Sequence, residues 1–280
     1  MTEVSRDIEP LLDVKGLVVT YPGSGRKSVT ALHGVDLRVM PGETVGIVGE
    51  SGSGKSTLGN AVLGLAPVSA GSIRFEGEEI AHAGNAQRRR LSRNLQAVFQ
   101  NPYGSLNPTR TVWATLAEPM LEQREFSRAQ VRARVTTVLD QVGLPSDSVD
   151  RYPSEFSGGQ RQRVAIARAL VLSPRLIVCD EPVSALDLSI QAQVLNLMTD
   201  LKRDLGVSLV FISHDLDVVR YISDSIVVLR HGQIEESGPA ERVYNNPQAE
   251  YTQRLLAAAP DPRRATRVWS AGTHTRKRVK

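Results

Sequence analysis

The 280-residue sequence carries 34 Lys+Arg against 30 Asp+Glu, a formal charge of +4, with 41% hydrophobic and 23% charged residues. This composition excludes a disordered, collagen-like or membrane-spanning chain, because no apolar run approaches the roughly 18 to 20 residues that a bilayer demands. Glu3, Asp7 and Glu9 interrupt the first eleven residues, so no secretory leader is expected, and the single Cys179 can close no internal disulfide, which fits a reducing cytoplasm.

Taken in chain order, residues 12–20 alternate as a strand that should end in a turn over 21–25. Residues 31–39 read as a second strand, and Pro41-Gly42-Glu43 as a tight turn into a third over 44–48. That third strand is short and wholly apolar and runs into a glycine-rich loop, after which 55–65 reads as a helix. Residues 71–80 form strand, turn and strand around Gly77, and the basic stretch 88–93 reads as a solvated helix face. The pattern is helical from 111 to 143, where Val131, Val135, Val138, Leu139 and Val142 recur at helical spacing before Gly143 and Pro145. A helix over 158–172 precedes a buried-type strand at 176–179. Ile190, Val194, Leu197, Met198, Leu201 and Leu205 then mark one face of a long helix, capped by Asp187 or Ser189 and ended at Gly206. Further strands fall at 207–212 and 226–229, and Gly232 and Gly238 punctuate a terminal hairpin. Short strands alternating with helices predict an α/β sheet interrupted by a helical insert.

Three stretches carry chemistry. Gly49-Glu50-Ser51-Gly52-Ser53-Gly54-Lys55-Ser56 has the spacing of a phosphate-binding loop between an apolar strand and a helix. There, backbone N–H groups and the helix N-terminus face phosphate, Lys55 reaches the β and γ phosphates, and the Ser56 hydroxyl suits Mg²⁺. The strand at 176–179 ends in Asp180-Glu181, where parallel sheets bind ligands; Asp180 suits Mg²⁺ through its water shell and Glu181 suits activation of water as general base. Ser157-Gly158-Gly159-Gln160 opens a helix with unpaired amides, a ready anion site, although a plain helix cap would need only the serine.

With Ser213-His214-Asp215 after a further strand, these motifs make the chain resemble the nucleotide-binding subunits of ATP-binding-cassette transporters over essentially its whole length. The resemblance implies an α/β P-loop NTPase (RecA-like) core with an antiparallel β subdomain, a helical insert and a short C-terminal extension. The expected division is 1–100, 101–168, 169–235 and 236–280. It implies that Gly49 to Thr57 bind ATP, with Thr57 beside Ser56, and that Tyr21 stacks on adenine. Gln100 would sense Mg²⁺ and the lytic water, joining Ser56 and Asp180 as metal contacts, and His214 would touch the γ-phosphate. Ser184 to Asp187 match the loop that crosses the dimer interface, and Ser157 to Gln160 would serve the nucleotide of a partner subunit. Lys55, Gln100, Glu181 and His214 form the expected catalytic set.

The run Gln100-Asn101-Pro102-Tyr103-Gly104-Ser105-Leu106-Asn107-Pro108 resembles the peptide- and nickel-importer branch, as do Tyr244-Asn245-Asn246-Pro247 and Tyr251-Thr252-Gln253-Arg254-Leu255-Leu256. That branch often carries His-Pro before the Tyr-Thr, where this chain has Ala249-Glu250. The implied machine has two membrane permeases, a second and different ATPase, and an extracytoplasmic binding protein that acts indirectly. The chain would sit on the cytoplasmic face of the membrane and import oligopeptides or dipeptides, with nickel, glutathione or another small solute as the alternative. A soluble ATPase of translation or DNA repair would need a second cassette, long coiled-coil inserts or zinc-binding cysteines, none of which this sequence shows. Residues 261–280 hold seven basic residues against Asp261 alone, a net +6, read as a solvated tail with no nucleic acid expected.

Overall fold

The computed structural model describes residues 9–23, 28–100 and 102–258, so the basic tail lies outside the described residues. In chain order the strands are β1 (Leu12–Pro22), β2 (Ser28–Val39), β3 (Thr44–Val48), β4 (Val68–Phe75), β5 (Glu78–Glu79) and β6 (Leu95–Val98), followed by β7 (Leu176–Asp180), β8 (Ser208–Ser213), β9 (Ser225–Arg230) and β10 (Gln233–Pro239). The helices are α1 (Lys55–Leu63), α2 (Asn85–Leu91), α3 (Pro102–Ser105), α4 (Val112–Gln123) and α5 (Arg128–Gln141), then α6 (Gly158–Leu170), α7 (Leu188–Leu205), α8 (Leu216–Ile222), α9 (Ala240–Asn245) and α10 (Glu250–Ala258).

Two sheets organise the chain. A four-stranded sheet runs β2-β1-β4-β5 and is antiparallel throughout. A six-stranded sheet runs β10-β9-β3-β8-β7-β6, parallel except at β10, which returns as a hairpin on β9. The central strands β3 and β8 are buried along their whole length, as the apolar run at 44–48 predicts for a sheet covered on both faces. Two apolar cores organise the described residues. One joins the antiparallel sheet to α1 through Leu32, Ile47, Leu58, Ile73 and Phe75. The other joins α4, α5 and α6 to α7 and α8 through Leu116, Val135, Leu139, Leu170, Val194 and Phe211. Each fully buried aliphatic or phenyl side chain contributes roughly 1.5 to 3 kcal/mol relative to exposure.

The helical stretch 111–143 divides at Arg124, whose φ of 57° ends α4, and α5 restarts on a capping box between Ser127 and Gln130. Asp187, rather than Ser189, caps α7: its carboxylate accepts from the Ile190 N–H at 3.0 Å, while the Ser189 hydroxyl donates to the same oxygen at 2.7 Å. Three expectations change. The turn over 21–25 begins later, because β1 continues to Pro22 with Tyr21 paired to Val29. Arg88 is not on a solvated face; it is partly buried and donates to the Ile80 and Val62 carbonyls at 2.5 and 3.3 Å. Leu205, expected in the buried stripe of α7, is 41% exposed at the helix end.

Candidate active site

Parallel register places the chemistry. Val48 of β3 pairs with Ser213 of β8, Ile212 with Asp180 of β7, and Cys179 with Val98 of β6. The segments leaving these four adjacent strands therefore carry the glycine-rich loop, His214, Glu181 and Gln100 to one sheet edge, the carboxyl end where such sheets take ligands. A cleft of about 400 Å³ opens there, lined by Ser51, Gly52, Gly54, Lys55, Ser56, Thr57, Gln100, Glu181, His214 and Ala31. A larger groove of about 610 Å³ lies between β1–β2 and β9–β10, lined by Lys15, Asp36 and Arg38, and lacks any such convergence. Size therefore does not identify the site; the chemistry does.

The loop is tightly folded. Gly54 caps α1 with φ 105°, a conformation that disfavours a side chain, and a Cβ there would meet the Leu32 side chain at 2.8 Å and the Ala31 carbonyl at 2.9 Å. Lys55 is 5% exposed, and its ammonium donates to the Gly49 and Glu50 carbonyls at 2.7 and 2.8 Å. Burial lowers its pKa against the raising pull of the nearby Glu181 and Asp180 carboxylates. The Ser56 hydroxyl donates to Asp180 Oδ1 at 3.0 Å. Burial raises the Asp180 pKa, opposed by that hydroxyl, with the Glu181 charge raising and Lys55 lowering it.

Glu181 follows the strand with φ 47°, an uncommon conformation for a side-chain-bearing residue, held by its N–H on the Ile212 carbonyl at 3.0 Å. One of its oxygens, Oε2, accepts from Gln100 Nε2 at 3.1 Å and lies 3.3 Å from His214 Nδ1. Gln100, Glu181 and His214 thus converge on one carboxylate oxygen within reach of Lys55 and the Ser56–Asp180 pair.

Two groups of expected residues lie elsewhere. Tyr21 is partly buried at the end of β1 against the antiparallel-sheet core and is not among the residues that line the cleft. Ser157 to Gln160 form the start of α6, where Ser157 Oγ accepts from the Gln160 N–H at 3.4 Å and Gln160 Oε1 from the Ser157 N–H at 3.0 Å. No bond joins this segment to the glycine-rich loop among the described residues. Ala31 is unexpected at the site, and the sequence marks Tyr251 only as part of the branch motif; its hydroxyl accepts from the Glu50 N–H at 3.2 Å across 201 residues of chain. No local spacing signals such a contact.

The donor set suits a hard cation: a hydroxyl and a carboxylate already paired, with no cluster of three or more His, Cys, Asp or Glu among the described residues. Mg²⁺ is commonly held by one or two carboxylates plus substrate phosphates rather than by an all-protein cage.

The family described as "ABC transporter" matches residues 32–184, from Leu32 of β2 past the acidic pair. The oligopeptide transport ATP-binding protein OppF of Lactococcus lactis subsp. lactis (strain IL1403) is 44% identical over 256 residues, spanning 89% of this chain and 80% of that one. The di/tripeptide transport ATP-binding protein DppF of Pseudomonas aeruginosa (strain UCBPP-PA14) is 48% identical over 258 residues, spanning 90% and 80%. Among solved structures, the dimeric post-hydrolysis state of the ATP-binding cassette MJ0796, bound to ADP and Pi, superposes with TM-score 0.73 at 30% identity, covering 82% of this chain and 98% of that one.

Proposed function

The chain belongs to the ATP-binding-cassette transporter family, and on that footing we propose that it is the ATP-hydrolysing subunit of an importer of oligopeptides or dipeptides. The observation that carries the substrate class is 44 to 48% identity to peptide-transport ATPases along 80% of their length. No helix among the described residues is long and apolar enough to cross a membrane; in the proposed machine the path for the peptide lies in separate permease subunits. Two such permeases, a second ATPase and an extracytoplasmic binding protein complete the proposed machine, with this chain on the cytoplasmic membrane face.

The amides of Gly49 to Gly54 and the start of α1 receive the phosphate chain, and Lys55 turns its ammonium from the loop carbonyls to the β and γ phosphates. Ser56 and Asp180 would hold Mg²⁺, with Gln100 lining the same cleft, and the ion would supply charge neutralisation at the phosphates. Glu181 takes a proton from the attacking water. Gln100 and His214 hold the carboxylate that does so, and both line the cleft that would take the γ-phosphate. Thr57 lines the same wall, and Tyr21 offers a ring to the adenine.

The start of α6 is supplied to the nucleotide of a partner subunit, which accounts for its lying outside this chain's own cleft. Two subunits then close around ATP because each triphosphate contacts both, and hydrolysis removes the contacts that favoured closure. Arg168 of α6 donates to the Ser105 carbonyl of α3 at 2.5 Å, which ties the partner-facing helix to the segment just after Gln100.

Purification of the tagged chain from detergent-solubilised membranes tests the assignment. Two permeases and ATP-dependent uptake of labelled peptides into proteoliposomes are expected. Recovery without membrane proteins would overturn the transporter reading, and uptake of nickel in preference to peptides would overturn the substrate class.

A further inference from the structure

The glycine-rich loop is braced from behind by chain far outside the family-matched stretch. Gly49 packs so closely on β9 that a Cβ there would lie 2.0 Å from the Leu229 carbonyl. At the loop's other end the Gly232 N–H donates to the Ser53 carbonyl at 2.9 Å. Between them stands Tyr251 of α10, 4% exposed, whose hydroxyl accepts from the Glu50 N–H at 3.2 Å while the Arg230 guanidinium lies 4.8 Å from its ring centre.

The Gly49 carbonyl and the Glu50 N–H are the two poles of a single peptide group. Lys55 holds the carbonyl at 2.7 Å, and Tyr251 holds the N–H from the other side. The seat of Tyr251 is itself anchored. Glu236 of β10 is buried and accepts from the Gln248 N–H at 3.1 Å, the Ala249 N–H at 3.1 Å and Arg242 Nη1 at 3.0 Å, which fixes the entry to α10.

We propose that Tyr251 is a positioning residue for the nucleotide site, holding the Gly49–Glu50 peptide so that the seating of α10 sets the affinity for ATP. The inference rests on the reading of the loop as the ATP site. When Lys55 turns to phosphate, it releases the Gly49 carbonyl, and the tyrosine hydroxyl becomes that peptide's remaining hold. A glycine-flanked peptide free to rotate would aim a carbonyl dipole toward the anion, and fixing it would then be charged against binding. The hydroxyl is therefore worth more with nucleotide bound than without, so its loss reads out as affinity and not only as stability.

The test is equilibrium binding of MgATP to the full chain well below its unfolding temperature, where the folded fraction is complete. Tyr251→Phe keeps the ring and removes one hydrogen bond, so the Kd should rise about 3- to 10-fold, with faster hydrogen exchange at the Glu50 amide. Glu236→Gln, which touches no part of the loop, should raise the Kd about 2- to 3-fold by loosening α10, and it serves alone should Tyr251→Phe fail to fold. If the wild-type chain binds no MgATP, the reading of the site falls and takes this inference with it. If the wild type binds and both variants match its Kd, the inference falls alone and α10 is packing only.

Discussion

The starts of α1 and α6 both lie beside glycine, and they are built differently. At α1 the cap residue is Gly54, with no side chain to satisfy the first-turn amides; the cleft opens before them, and the buried Lys55 ammonium is bonded to loop carbonyls. At α6 the chain supplies its own partners: Ser157 and Gln160 exchange bonds in a capping box. First-turn N–H groups have no intrahelical acceptor, so whatever a helix leaves uncapped must be met by water or ligand. On the proposed reading the first start is left for a whole phosphate chain, with a cation beside it. The second keeps back part of its capacity and suits an anion already held by another surface. On the proposed reading the same helix-terminus physics is spent twice, once to bind within the chain and once to complete a neighbour.

The first start stands or falls with its cleft. Glu181→Gln should leave ATP binding near wild type while lowering the hydrolysis rate by roughly two to four decades, the usual worth of a positioned base. Phosphate release measured beside nucleotide binding checks both halves, and near-normal turnover would remove Glu181 from the role. Lys55→Ala should instead fail at binding. With the ammonium gone from a buried cradle that faces three or four phosphate charges, the ATP Kd should rise about 100-fold or more, as calorimetry would show.

The second start sharpens the contrast from the other side. A Cβ on Gly159 would meet Ile190 Cγ2 of α7 at 2.4 Å, so Gly159→Ala must turn Ile190 off its position or shift α7, at a cost of about 1 to 3 kcal/mol in stability. Because this helix start lies outside the chain's own cleft, monomer ATP affinity should stay within about twofold while turnover falls at least about tenfold, the loss of roughly one good charge-assisted bond. Titration calorimetry and a steady-state ATPase assay separate the two effects. A matching loss of monomer affinity would join the two helix starts into one site.

Both helix starts were legible beforehand, but other features were not. The glycine-rich loop, β3 and the acidic pair of β7 were readable because their chemistry is written in adjacent residues: an apolar strand, the glycine spacing and a lysine. The cap of α7 resolved to Asp187 only once the Ile190 N–H was seen on its carboxylate, since Asp187 and Ser189 are equally good caps by type. Strand β6 escaped because four residues carry no period, and its existence depends on β7, some eighty positions later in the chain. Arg88 looked like a solvated cation because composition cannot show the carbonyls of Val62 and Ile80 that it serves. The contact between Tyr251 and the loop belongs to the same class: the tertiary fold brings together residues whose local patterns say nothing of each other.

The subtlest expected effect falls on Asp180, where stability and function pull in opposite directions. Its pKa in the folded chain is raised, chiefly by burial, although Ser56 and Lys55 pull the other way. A carboxyl with a raised folded pKa binds its proton more tightly folded than unfolded. Its contribution to stability is therefore full below the unfolded value near 3.8 and is lost as pH rises through the folded value. At neutral pH the nucleotide-free protein thus carries a carboxylate that its surroundings disfavour. Asp180→Asn should raise the neutral-pH melting midpoint of the nucleotide-free chain and flatten its dependence on pH above the unfolded value. The same variant should lose the added stabilisation that Mg²⁺ gives to bound ATP, because the carboxylate that burial penalises is the one the cation needs. Thermal scans across that pH range, with ATP alone and with ATP plus Mg²⁺, would show the two shifts with opposite sign. A midpoint that falls in the nucleotide-free variant would mean that the bond to Ser56, rather than burial, dominates at Asp180.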